Sequence, residues 1–242
     1  MSNSLKTRIL SCDPQKWWGD DFDVRFYLIT NVEKIKNGII LDVGGGIGII
    51  SSQLDKSNLR INLDSSINNL LTCKSKIDSD VKNICSSMTD LPFNDNSFDY
   101  VICSHLLEVA KTNDIENNNV KKINDVKQFP TVERVLSEMS RVLKSNGILF
   151  LTTPNNAYYK STKLDYYELK NSLKNYFANY SLSFYNTFPR LSKKYRKLNL
   201  ANVLPKIVSK VIKRENLLKS LIKNDEGKNR ESVSFYVEAT KS

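Results

Sequence analysis

The chain has 242 residues, 40% of them hydrophobic, which suits one α/β domain with a substantial core and excludes wholesale disorder. No run of about 18 apolar residues occurs, which excludes a membrane-spanning helix. The net charge of +10 is concentrated: residues 190–223 carry eleven Lys/Arg against one acid, Glu215, leaving 25 of each sign elsewhere.

Residues 1–32 read as a preliminary helical segment, with Trp17-Trp18-Gly19, Asp21, Asp23 and Arg25 as an unusual cluster. Packing both tryptophans under a sheet is one use for it. The first 21 residues have no apolar core of the signal-peptide kind, so the cytosol is the expected compartment. Ile39 to Val43 is an apolar, β-branched run suited to a buried parallel strand. Gly44, Gly45, Gly46 and Gly48 follow, and a helix is expected over 49–56. A strand, a glycine turn and a helix N-terminus make a nucleotide-sized cradle. A dinucleotide fingerprint counted from Gly44 would place its third glycine at position 49, where Ile49 stands. A phosphate loop would end in Gly-Lys-Ser/Thr, and no lysine is near. Asp42, just before the glycines, would repel pyrophosphate but suits a ligand with a cationic group.

A second strand is expected over 59–63, with Asp64 at its end, 22 residues after Asp42. In a βαβ unit an acid about 20 residues past the loop reaches ribose hydroxyls. Asp64 also suits the N-cap of a helix over 66–76. Further strands are expected over 81–85 and 98–103, separated by Ser87, Met88, Leu91-Pro92-Phe93 and an Asn94-Asp95-Asn96 turn. The chain then reads Ser104-His105-Leu106-Leu107-Glu108-Val109, with His105 the only histidine. Residues 111–129 are Asn- and Lys-rich without apolar period and read as a solvated loop or a substrate lid. Val132, Val135, Leu136, Met139, Val142 and Leu143 form one face of a helix over 131–144, followed by a strand over 148–152. A helix over 164–177 and strands over 180–188 and 232–239 complete the pattern. Pro205 suits the first turn of a basic amphipathic helix over 205–223. Cys12, Cys73, Cys85 and Cys103 contain no C-x-x-C pair, and with one histidine they make no zinc site. Cys85 and Cys103 sit in apolar runs and are expected to be buried.

The ordered set resembles the class I, Rossmann-like methyltransferases that use S-adenosylmethionine (SAM), of the small-molecule type 11 kind. It comprises Asp42 with the glycine loop, Asp64, Leu91-Pro92-Phe93 with Phe98-Asp99, and Glu138-x-x-Arg141-Val142-Leu143-Lys144 before Gly147. It covers 38–155 well and the last strand loosely. The resemblance implies a seven-stranded, mostly parallel, doubly wound sheet with strand seven antiparallel beside strand five. It implies one domain over 1–242: an N-terminal helical lid (1–32), a SAM-binding core (33–155), and a C-terminal half (156–242) with a basic helical insert (189–230). The implied cofactor-side residues are Asp42, Gly44, Gly46, Gly48, Asp64, Ser65, Ser87, Met88, Cys103 and Ser104. Many members have aspartate where Ser87 stands and histidine where Val109 stands. His105 is the weak candidate for a catalytic base. The implied reaction is methyl transfer to a small-molecule, lipid or glycan acceptor, since no Asn/Asp-Pro-Pro-Tyr signature of amino methylation follows strand four. The alternatives are a nucleic-acid methyltransferase and a SAM-binding or partner module without chemistry; the glycine spacing argues against a nicotinamide-dependent oxidoreductase. The basic segment 190–223 suits contact with an anionic membrane or a lipid-linked substrate, or packing on the sheet or a second subunit.

Overall fold

A computed structural model describes residues 22–111, 131–155, 164–185, 222–223 and 234–242. Trp17, Trp18, the 112–130 loop and all but the last two residues of the expected basic helix lie outside them.

The described strands are β1 (Ile39–Val43), β2 (Leu59–Asp64), β3 (Lys82–Cys85), β4 (Phe98–Ser104), β5 (Leu143–Pro154), β6 (Asn179–Tyr185), β7 (Ile222–Lys223) and β8 (Ser234–Thr240). They form one sheet in the order β3-β2-β1-β4-β5-β8-β6-β7. Strands β1 to β5 pair parallel, and β8 is inserted antiparallel between β5 and β6. This is the expected seven-stranded arrangement with the last strand reversed. The two-residue β7 is an addition: it pairs antiparallel with β6 through Phe184 and Tyr185. Ile222 and Lys223 are therefore strand, and the expected helix over 205–223 does not extend through them.

Alternation along the buried strands supplies both faces of the sheet. One face carries Leu41, Val43, Val101, Leu149 and Leu151 against α4 (Thr131–Val142) and α5 (Tyr166–Tyr176). α4 buries Val132, Val135, Leu136, Met139 and Val142, each contributing about 1.5–3 kcal/mol of transfer free energy. The other face carries Ile40, Ile102, Phe150 and Tyr236 against α1 (Phe22–Val32) and α2 (Ile49–Gln53). α1 buries Val24, Leu28, Ile29 and Val32 there. The described part of the expected N-terminal lid is thus a layer of the core.

α3 (Ile67–Thr72) runs into a wide π turn, Cys73–Ile77, which the Asp78 N–H closes onto the Cys73 carbonyl at 2.9 Å. Ser66, not Asp64, is the N-cap of α3. Helix α4 stops at Val142, and β5 starts at once because Leu143 pairs with Phe98. Cys73 and Cys103 are buried, whereas Cys85 is exposed at the end of the edge strand β3. The expectation that Cys85 is buried is corrected: an apolar run on an edge strand has no neighbour to cover its last side chain.

Arg141 joins α4 to the loop after β3. Its guanidinium donates to the carbonyls of Leu91 (3.0 Å) and Phe93 (2.8 Å) and to Glu138 and Asp95. Glu138 in turn accepts the Leu91 N–H at 2.8 Å. The guanidinium holds the Glu138 carboxyl below its usual range, and burial opposes it. Arg141→Met should destabilise by about 1–2 kcal/mol, discounted because Asp95 is largely in water. Urea melts check this; an unchanged midpoint would mean the loop holds its shape without the clamp.

Candidate functional site

The strand order reverses between β1 and β4, and loops at such a switch point leave a crevice at the carboxyl ends of the strands. The glycine turn lies there. Gly44 and Gly45 N–H both donate to the Leu63 carbonyl, at 2.8 and 3.2 Å. The underside is filled: a Cβ on Gly45 would come 2.2 Å from Asn62 Oδ1 and 2.6 Å from Asp42 Oδ2. The Asn62 amide also donates to the Gly46 carbonyl at 3.0 Å. The outer side is open: Gly46 has a φ of +58°, and a Cβ there would meet nothing within 4 Å. A ligand can therefore approach the main chain at Gly46, where only glycine is both free of strain and free of bulk.

Asp64 closes the loop onto β2. Its Oδ2 accepts the Gly46 N–H at 2.9 Å, and its Oδ1 accepts the Ser66 N–H and Asn69 Nδ2 at 2.8 and 3.2 Å. A carboxylate offers about four acceptor positions, so one stays open for a hydroxyl. Asp64 thus braces α3 and remains able to take a ribose. Ser65 is exposed beside it.

Asp42 is beneath the loop, 1% exposed, with Oδ2 accepting from Ser51 at 2.7 Å and Oδ1 without a partner. Burial pushes its carboxyl up to about 6; the Ser51 hydrogen bonds lower it and Asp64 raises it. The folded chain thus holds a proton through the window from about pH 4 to about pH 6, where the unfolded chain has released it. Asp42's contribution to stability is full below the ordinary carboxylate range and is lost as pH rises through about 6. Thermal melts across this window should show the decline in the native chain and its absence in Asp42→Asn. An equal slope in both would place the titration elsewhere.

On the β4 side Leu106 lies against the turn, since a Cβ on Gly44 would come 2.6 Å from its Cδ1. Ser104 Oγ lies 3.0 Å from Thr152 Oγ1. Cys103 is fully buried and its thiol is pushed well up by burial. His105 has a φ of +56° and its N–H donates to the Thr152 carbonyl at 2.9 Å. Its ring is buried, with Nδ1 3.3 Å from Glu108 Oε1. On the β3 side Met88 is half-buried against the core, and Ser87 is exposed with its hydroxyl 2.8 Å from that of Thr89. The turn, acid and strand-end residues therefore gather at the carboxyl ends of β1 to β4. Sequence reasoning missed Ser51, Asn62, Asn69, Thr89 and Glu108. Asn62 had a signal, a lone amide in the middle of the apolar strand Leu59–Asp64.

Residues 41–151 match the family described as "Methyltransferase domain". The matched segment is 111 of the 242 residues. The match begins in β1 and ends in β5, so it holds the glycine turn, Asp64, Ser87 and His105. The fold is the Rossmann-like α/β fold that solved SAM-dependent methyltransferases also have. A SAM-dependent methyltransferase of Thermotoga maritima shares it with a TM-score of 0.54 at 13% identity, over 98% of this chain and all of that one. Phosphoethanolamine N-methyltransferase 2 of Haemonchus contortus, in complex with SAM, shares it at 0.54 and 17%, over 91% of this chain and 52% of that one. An uncharacterised protein of Methanocaldococcus jannaschii is 31% identical over 128 residues, 53% of this chain. The match spans 46% of that protein's length, so this chain aligns with about half of it. The residues at this crevice fit SAM: the turn is open at Gly46, an acid with a spare acceptor position flanks it, and a buried carboxylate underneath suits a cationic ligand. Among the described residues no helix is long and apolar enough to cross a membrane.

Proposed function

We propose that the chain transfers the methyl group of SAM to an oxygen or carbon atom of a small-molecule, lipid or glycan acceptor. The observation that carries this reading is the turn at Gly46, open outward and braced by Asp64 within the segment that matches the methyltransferase domain. SAM supplies a methyl group activated by its sulfonium. Asp64 would accept a ribose hydroxyl, the backbone at Gly44 and Gly46 would hold the nucleoside, and Met88 would be on the side of its base. Ser104 stands at the opposite, methionine end. Asp42 contributes a favourable field from beneath the turn. The chain's task is then chiefly to orient the acceptor and exclude water, because the leaving group needs no further activation. His105 is only a weak candidate for a base, since its side chain is buried, with Nδ1 beside Glu108.

Methyl-labelled SAM offered with small-molecule, lipid and RNA fractions tests the acceptor class. Label in the small-molecule or lipid fraction is expected. Label confined to RNA would replace this reading with nucleic-acid methylation.

The eleven basic residues of 190–223 support a peripheral contact with an anionic membrane, where each lysine near the surface adds about 1 kcal/mol. Salt-sensitive cosedimentation with anionic vesicles is expected, with loss when Lys206, Lys210, Lys213, Lys219 and Lys223 become glutamine. No vesicle binding at low salt would remove the proposal.

A further inference from the structure

Building on the cofactor reading above, we infer that His105 is a positioning residue: its left-handed backbone sets Leu106 against Gly44, and this contact fixes the glycine turn for its ligand. β1 and β4 are neighbours, with Val43 opposite Cys103, so the turns that leave them start side by side. The β1 turn passes through the left-handed region at Gly44, Gly46 and Gly48, where glycine is unstrained. The β4 turn passes through it at His105, with a φ of +56°. A side chain resists that region, and an outlier of this kind persists only where its surroundings hold it.

The surroundings of His105 do so on three sides. Its N–H donates to the Thr152 carbonyl at 2.9 Å, just past the paired Ser104 and Thr152. Its ring is enclosed, the side chain only 1% exposed, with Nδ1 3.3 Å from Glu108 Oε1. The Leu106 carbonyl then accepts the N–H groups of Val109 and Ala110, at 3.0 and 3.2 Å, and the helical turn 107–111 begins. Leu106 is thereby fixed from both sides. Its side chain lies over Gly44, where a Cβ would come 2.6 Å from Cδ1 and 2.9 Å from Cδ2. An extended residue 105 would carry the chain onward along β4 and take Leu106 away from Gly44. The Gly44 N–H in turn donates to the Leu63 carbonyl at 2.8 Å, next to Asp64. His105 therefore acts on the glycine turn through Leu106, and the enclosed ring has a use that needs no proton transfer.

Calorimetry with S-adenosylhomocysteine tests this on the native chain, His105→Val, His105→Asn, Leu106→Ala and the double variant His105→Val with Leu106→Ala. A β-branched residue strongly resists the left-handed region, whereas asparagine adopts it readily. His105→Val should weaken binding by about tenfold or more. His105→Asn loses the enclosed ring and should melt lower, yet bind within about threefold of the native chain. Leu106→Ala should weaken binding by a factor comparable to that of His105→Val. The double variant should bind no worse than His105→Val alone, because one contact carries both effects. Melting temperatures check that each variant folds; should His105→Val not fold, His105→Ala takes its place, since any Cβ disfavours the conformation. A lower melting temperature in His105→Val with affinity near native would mean a merely structural role and overturn this inference alone. Equal weakening by valine and asparagine, or losses at 105 and 106 that multiply in the double variant, would overturn it as well. No binding by the native chain would overturn the cofactor reading and this inference with it.

Discussion

Arg60→Met should destabilise the folded chain by about 3–5 kcal/mol, because it strands a buried carboxylate. Arg60 is the second residue of β2 and Asp78 follows the π turn. Their side chains are only 3% and 5% exposed, and Nη1 lies 2.9 Å from Oδ2. The pair fastens the end of the π turn to the sheet. The same turn carries Cys73, whose sulfur would lie 2.3 Å from a Cβ on Gly48. Removing the guanidinium alone leaves Asp78 Oδ2 in low dielectric without its cation. Replacing both members, Arg60→Met with Asp78→Leu, should recover much of the loss, since neither charge then needs burial. Chemical denaturation of the two variants gives the comparison. A loss below about 1 kcal/mol for Arg60→Met would mean that water reaches the pair.

Asp64→Ala should lower the affinity for S-adenosylhomocysteine by about 10–100-fold, the cost of a ribose hydroxyl and loop amides left unpaired. The effect has two sources that a second variant separates. Asp64 holds the Gly46 N–H and the first turn of α3, so its loss loosens the cradle. It also offers the remaining acceptor position to the ligand. Asp64→Asn keeps the shape and one carbonyl oxygen, and should retain more stability than affinity. Equal affinity in native chain and Asp64→Ala would leave Asp64 as a brace of α3 only.

The strands that form the crevice were legible because their signals are local. Ile39 to Val43 is an apolar run ended by glycines, and α4 shows an unbroken helical period. Placement of Asp64 followed from the spacing of a βαβ unit. What the sequence does not display is partnership across the sheet. Nothing adjacent to Asp42 marks Ser51 as its donor, because the pairing exists only when α2 folds back over β1. Thr89 is silent for the same reason: its contact with Ser87 depends on a turn fixed by Arg134, 45 residues away. Cys85 misled because an apolar run looks the same on an edge strand as on a central one. Asp64 was legible as an acid at the end of β2, but the cap of α3 is Ser66, and the bond of Asp64 to Gly46 needed the loop to be seen folded back upon β2.

The glycine turn with Asp64 is proposed to hold the cofactor of a methyltransferase. Titration calorimetry of the native chain with S-adenosylhomocysteine, and in parallel with NAD, tests it most directly. One-to-one binding of S-adenosylhomocysteine is expected, with no heat from NAD. Absence of binding of S-adenosylhomocysteine at millimolar concentration, or saturable binding of NAD in its place, would contradict it.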